Sequence, residues 1–335
     1  MEHFWNTSGF DPRGRHSGAD RPSRPSLSSV RAILPSLGTT KFRLRQLEAI
    51  TIIREDRDNG NQQLAYNARP FVLCGIPLRR PPKDQLIHTR HNGKFFLEIT
   101  GHPNYGLPFG QDRLIPIWVA TLAIRQKSRT VRFDSAAQML DFFHLSKDGR
   151  HYRRIVQAFQ RVFAATIFFG TDNQPDRHHL TDLARFHFFD KLHLWFHEND
   201  QPVVANEGAV STIILSEAFY NEIDAHRIPV EREVVAALAH APGILDFYIW
   251  LVWRTWTVNG SPAYVPLFTP SGLCAQLGTT EYPARRFRQL IRQGLRRVKA
   301  LCRIVLPKSR RMVTVLSLNL PETAPQFPMS KKAFL

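Results

Sequence analysis

The chain of 335 residues contains only three cysteines, Cys74, Cys274 and Cys302. None stands in a C-x-x-C spacing, which excludes a disulfide framework and a cysteine-rich zinc module and leaves each as a small buried apolar residue. Long apolar runs are scarce as well. The richest, Ile244 to Trp256, is interrupted by Asp246 and Arg254, well short of the roughly 20 residues a membrane-spanning helix needs. The opening residues MEHFWNTSGFDPRGR lack a basic segment followed by an apolar core, so no secretory signal is read and a cytoplasmic location is expected. A phosphate-cradling loop is missing too: Gly101 and Gly106 have the right interval, but Leu-Pro follows where Lys-Ser/Thr is required. There is no G-x-S-x-G elbow and no carboxylate pair set among apolar residues; Asp172, Asp176 and Asp182 read as loop residues. Histidines number 14, among them His178, His179, His187, His193 and His197, yet no His-apolar-His triplet occurs of the kind that holds a metal beside a nucleophilic tyrosine. His193 and His197 fall in an extended run, where they share a face but stand far apart. No catalytic residue, metal or cofactor is expected, and the chain reads as a binder rather than an enzyme.

Negative charge is in short supply. Against 45 Lys and Arg stand 28 Asp and Glu, a net +17 with a pI near 10.4, which points to an extended polyanion as partner. The excess is concentrated. Residues 1–111 carry +7 and 112–170 carry +6, whereas 171–280 carry a net negative charge of 7; residues 281–311 then hold 11 basic groups and one acid. Two basic blocks separated by an acidic one describe two modules, each with a cationic face.

The order of elements supports that division. Residues 1–40 are rich in Arg, Ser, Pro and Gly and read as a disordered basic arm. Lys41 to Arg57 has helical spacing with a stop at Asn59-Gly60, and two strand-like runs between Gln85 and Thr100 flank His91-Asn92-Gly93, a hairpin signal. Next come a buried helix from Asp112 to Arg125, a strand Thr130 to Phe133, a helix capped by Ser135, and a turn at Asp148-Gly149. A long amphipathic helix follows, with Tyr152, Ile155, Val156, Phe159, Val162, Phe163 and Ile167 inward and Arg150, Arg154, Gln157 and Arg161 outward. Leu180 to Phe196 reads as two β runs. The second half repeats the order: a strand Ser211 to Leu215, a short helix from Glu217, and buried helices from Glu231 to Thr255 broken near Pro242-Gly243. A strand near Tyr264 to Phe268 then leads to a short helix capped by Ser271 and ended by Gly278. A basic helix with Pro283 in its first turn follows, and a hairpin from Arg303 to Leu318 closes the series. The expected fold is α+β and mainly helical, two tandem winged helix-turn-helix domains with small β-hairpin wings. The expected division is 1–40 arm, 41–205 first domain, 206–320 second domain, 321–335 tail.

Between residues 285 and 299 stand six arginines and a lysine with no acid. A helix can enter the B-DNA major groove, where Arg bonds guanine O6 and N7. In the N-terminal half of such a helix Arg285, Arg286, Arg288, Gln289 and Arg292 are the candidates for base or adjacent phosphate contacts. Arg296, Arg297 and Lys299 are candidates for the DNA backbone, and the hairpin residues Lys308, Arg310 and Arg311 for a neighbouring groove. In the first module the DNA-contact candidates are Arg150, Arg153 and Arg154.

Three segments, Gly106 to Phe133 (GLPFGQDRLIPIWVATLAIRQKSRTVRF), Ser146 to Gly170 (SKDGRHYRRIVQAFQRVFAATIFFG) and Ala184 to Asp190, resemble the RepA-type plasmid replication initiators of Gram-negative bacteria, over roughly residues 70–318. The resemblance implies tandem winged helices that bind direct repeats, called iterons, at a plasmid origin. It further implies opening of AT-rich DNA, recruitment of the host initiator DnaA and the replicative helicase, and a monomer–dimer equilibrium in which dimers repress the protein's own promoter. By the same implication, the helix around Arg285 to Arg296 reads the repeat, and that around Arg150 to Arg161 contacts its flank or serves dimerisation. The alternatives are a winged-helix transcriptional regulator and an origin nickase.

Overall fold

The computed structural model describes residues 41–93, 95–135, 137–172, 180–193, 210–257, 263–269, 272–279, 282–302 and 312–315. The chain divides into Met1–Glu48 and Ala49–Leu335. Helix α1 (Lys41–Asp58) runs across that division, and every later element lies in the second unit. The expected arm, 1–40, lies outside the described residues.

Strand β1 (Leu64–Asn67) and the short helix α2 (Arg69–Leu73) precede the hairpin of β2 (Ile87–Asn92) and β3 (Phe95–Thr100). Asn92 pairs with Phe95 across the turn, and Gly93 takes φ +59°, the left-handed conformation that an Asn-Gly turn provides. A 3-10 turn (Gly110–Arg113) leads into α3 (Leu114–Gln126), which is apolar on all sides and correspondingly buried. Then come β4 (Thr130–Phe133), α4 (Ala137–Phe142), α5 (Gly149–Phe163), β5 (Thr166–Asp172), β6 (Leu180–His187) and β7 (Phe189–His193). The second half contains β8 (Ser211–Leu215), α6 (Glu217–His226), β9 (Ile228–Glu231), α7 (Arg232–Leu238), α8 (Pro242–Thr257), β10 (Ala263–Pro266), α9 (Leu273–Gln276), α10 (Ala284–Leu301) and β11 (Met312–Val315). The fold is mixed α+β with small antiparallel sheets, ordered β2-β3-β5-β6, β4-β8-β7, β1-β9 and β10-β11.

Clusters of aromatic rings are set into a mainly aliphatic core. Trp118 packs edge-on against Phe133 and Phe159, and Phe71, Phe188 and Phe219 form a second group. Helix α8 buries every residue from Phe247 to Trp253 and receives α10 on one side. All three cysteines are free and buried, and desolvation pushes the thiols of Cys74 and Cys302 up to about 12.

The structure departs from the sequence reading in several places. Helix α5 stops at Phe163, so Ile167 belongs to β5 rather than to the helix; the run Thr166-Ile167-Phe168-Phe169 is β-branched and aromatic and favours extended backbone. Within the expected two β runs of Leu180 to Phe196, the described residues 180–193 do not pair with each other: β6 returns onto β5, while β7 pairs with β8 in another sheet. Strand β11 pairs with β10, joining Pro266 to Met312, and the expected cationic turn, with Lys308, Arg310 and Arg311, lies outside the described residues. Pro283 sits just ahead of α10 in extended backbone. Two sheets also cross residue 206, since β8 pairs with β4 and β9 with β1.

Candidate nucleic-acid interface

Helix α10 is built from two incompatible faces. Phe287, Ile291, Gly294, Val298 and Leu301 are buried, and Gly294 lets the helix approach α8 so closely that an added Cβ would lie 2.9 Å from Phe247 Cδ1. Its C-terminal end is fastened by Arg57, whose Nη1 donates to the Leu301 carbonyl at 2.7 Å while its Nε donates to Glu231 Oε1 at 3.0 Å. A guanidinium on a terminal carbonyl satisfies an orphan acceptor and complements the negative end of the helix dipole. Glu231 in turn donates its backbone N–H to the Tyr248 hydroxyl of α8.

The opposite face of α10 is cationic. Arg285, Arg288, Arg292, Arg296 and Lys299 recur at three- and four-residue intervals and are all exposed, as are Arg286 and Gln289 on the adjoining stripe. At about 1.5 Å per residue the stripe from Arg285 to Lys299 is roughly 21 Å long. Among the described residues none of these seven side chains enters an ion pair. Two are held by aromatic rings instead: Arg288 lies 4.8 Å from the centroid of Phe268, which is packed edge-on against Phe287, and Arg286 lies 5.2 Å from that of Tyr282. Such contacts orient a guanidinium without neutralising it.

Helix α5 is different. Asp148 caps it, accepting from the His151 N–H at 2.9 Å; this bond, the His151 ring and the Ser146 hydroxyl hold its carboxyl well below the usual carboxylate range. Arg150, Arg153 and Arg154 are exposed, with Arg153 Nε donating back to the Gly149 carbonyl at 3.4 Å. Arg161, expected to face outward, does not: it forms a two-pronged bond with Asp112 (2.7 and 2.9 Å) and covers the Phe109 ring at 4.7 Å. Asp112 also accepts from the Phe109 N–H at 3.0 Å. The charge of Arg161 is therefore consumed within the molecule.

Between the two helices lies a basic segment that periodicity does not reveal. Arg79 is 5.5 Å from the Tyr282 ring, and Arg80 is 6.0 Å from that of Phe109. The visible signal is compositional, two arginines and a lysine framed by Pro77, Pro81 and Pro82. Deeper, the buried Arg90 reaches α9 by donating to the Gln276 carbonyl at 2.8 Å, while Trp250 Nε1 donates to the Gln276 side chain at 2.8 Å. Burial pulls Arg90 down to about 10. Gly278, at φ +57°, leaves room for this guanidinium; a Cβ there would lie 2.2 Å from Arg90.

Among the described residues no group of His, Cys, Asp and Glu could hold a metal, and no helix is long and apolar enough to cross a membrane. The fold and the surface together define a mixed α+β protein with small antiparallel sheets, in which the cationic stripe of α10 enters no ion pair among the described residues. Residues 149–265, from α5 to β10, match the family model described as plasmid encoded RepA protein, and over this segment the chain is similar to that family. Two crystal structures of domains 2 and 3 of RctB are similar to it. One has 12% identity and a TM-score of 0.48, covering 73% of this chain and 95% of that one; the other has 10% and 0.45, covering 71% and 92%. No curated protein sequence matches.

Proposed function

We propose that the protein initiates plasmid replication by binding direct repeats at its origin, with α10 as the base-reading helix of a winged helix-turn-helix module. The observation that carries this reading is the exposed cationic stripe of α10, which enters no ion pair among the described residues. In support, α8, β10, α9, α10 and β11 follow the order of such a module, with β11 closing back onto β10. Arg285, Arg286, Arg288, Gln289 and Arg292 then reach base edges or adjacent phosphates, and each bidentate Arg–guanine contact is worth about 1–3 kcal/mol of discrimination. Arg296 and Lys299 bind phosphate, and Lys308, Arg310 and Arg311 act as the wing. On α5, Arg150, Arg153 and Arg154 contact the flank of the repeat. The segments 41–205 and 206–320 act as two functional modules.

In this reading the protein works in the cytoplasm by binding alone, without a catalytic group. It opens AT-rich DNA, recruits DnaA and the replicative helicase, and exchanges between monomer and a dimer that represses its own gene, as its RepA-family segment supports. A footprint on the origin of its own plasmid tests the core of the proposal. Protection of direct repeats is the expected result; protection of a promoter palindrome alone is that of a transcriptional regulator. Conversion of supercoiled origin DNA to nicked circles in Mg²⁺ contradicts the non-enzymatic part.

A further inference from the structure

We propose that the segment Leu78–Lys83 is a third DNA-contacting element, a preformed cationic strap that grips the sugar–phosphate backbone between the α10 and α5 surfaces. The inference rests on the DNA-binding reading and extends it to residues on neither helix. Arg79, Arg80 and Lys83 are all exposed, and among the described residues none of them enters an ion pair. Arg79 and Arg286 attend the same ring, at 5.5 and 5.2 Å from the centroid of Tyr282. At the other end, Arg80 shares Phe109 with Arg161 and lines a cleft together with Arg154 of α5. The strap thus joins the cations of the two helices into one surface.

The strap is held from below. The Pro77 carbonyl accepts from the Gly110 N–H at 2.9 Å and from Arg113 Nη2 at 3.1 Å. Arg113 is itself ion-paired with Asp246 of α8. Leu78 and Leu290 of α10 both lie against Gly243, with methyl carbons 3.5 and 3.7 Å from where its Cβ would stand. Pro81 and Pro82 restrict the backbone further, and the Gln85 N–H closes a turn onto the Pro82 carbonyl at 3.2 Å.

Bringing two guanidinium groups to one ring is unfavourable for the free protein when, as among the described residues here, neither enters an ion pair. Arg161 shows the alternative, since Asp112 neutralises it. A polyanion recovers the cost of the unneutralised pair, and a segment fixed in advance loses little entropy on binding. Because the strap lies beside the start of α10 and not on its reading stripe, its contacts go to phosphate and position the duplex without specifying sequence.

The test compares wild type with Arg79→Ala/Arg80→Ala by fluorescence anisotropy over a salt series. The probes are a short duplex carrying one footprinted origin repeat and a duplex of shuffled sequence. Loss of two phosphate contacts makes the slope of log K against log salt shallower by about 2 and weakens binding roughly tenfold on both duplexes alike. The ratio between the duplexes stays within about twofold. The charge-preserving pair Arg79→Lys/Arg80→Lys restores the slope. An unchanged slope in the alanine variant, while Arg288→Ala/Arg292→Ala abolishes the preference for the repeat, overturns the strap and leaves the DNA reading intact. Failure of the lysine pair to restore the slope, or a loss confined to the repeat duplex, also overturns it. Absence of salt-dependent binding by wild type to either duplex defeats the strap and the DNA reading together.

Discussion

Helices α5 and α10 share a pattern, an apolar stripe at three- and four-residue spacing with arginines opposite, yet they use those arginines differently. On α5 the C-terminal arginine, Arg161, turns in to Asp112 and the Phe109 ring, and Arg153 folds back on the Gly149 carbonyl. On α10 the stripe from Arg285 to Lys299 stays exposed, and the two guanidiniums that find a ring remain unneutralised. The cause is what stands across from each helix. Asp112, in the 3-10 turn ahead of α3, faces the end of α5, whereas among the described residues no carboxylate pairs with the outer stripe of α10. Periodicity decides which side of a helix carries charge; the neighbouring elements decide whether that charge remains available to a ligand.

The comparison breaks most sharply at Asp112. Replacing it with Ala leaves Arg161 partly buried without its carboxylate and the Phe109 N–H without its acceptor, and is expected to cost about 3–5 kcal/mol in urea unfolding. Arg292→Ala on α10 is expected to change stability by less than about 0.5 kcal/mol, because its side chain is exposed and enters no ion pair among the described residues. Equal losses in the two variants would erase the distinction between the helices. A smaller effect is expected at the seat of α10. Gly294→Val drives a side chain into Phe247 and should cost about 1–3 kcal/mol by overpacking, read from the same urea midpoint, and should weaken DNA binding by displacing the helix.

A separate effect is the pH dependence, which falls on histidines of neither helix. Burial lowers His88 and His226 from 6.5 to about 4, with the charges of Arg90 and Arg69 acting in the same direction. The unfolded chain takes up these protons below pH 6.5 and the folded protein does not, so this contribution is complete above 6.5 and is lost as pH falls toward 4. His144 works oppositely: its bond to Glu233 raises it, so its contribution is complete below 6.5 and is lost as pH rises through the elevated value. Urea midpoints across this range should fall on the acid side for wild type, and His88→Gln should flatten that limb.

Local signals made most of the helices legible, along with the first hairpin. Asn59-Gly60, Asn92-Gly93, Asp148 and Gly278 mark ends that the structure reproduces, and the inward stripe of α10 follows from spacing alone. What was not legible depends on distant partners. Residues 166–169 continue the apolar rhythm of α5, and only the pairing of β5 with β3 and β6 makes them a strand. Nothing near Phe189 indicates that β7 joins β8, some twenty residues on, nor that Arg161 meets Asp112, 49 residues earlier. The candidate interface divides the same way: the α10 cations follow from sequence, while Arg79 and Arg80 join them only through the rings of Tyr282 and Phe109.

The most direct measurement is the affinity of wild type and of Arg288→Ala/Arg292→Ala for one origin repeat, relative to a shuffled duplex at the same salt concentration. If α10 reads bases, the double variant loses about 2–6 kcal/mol of that preference while remaining folded. A preference equal to that of wild type would contradict the account.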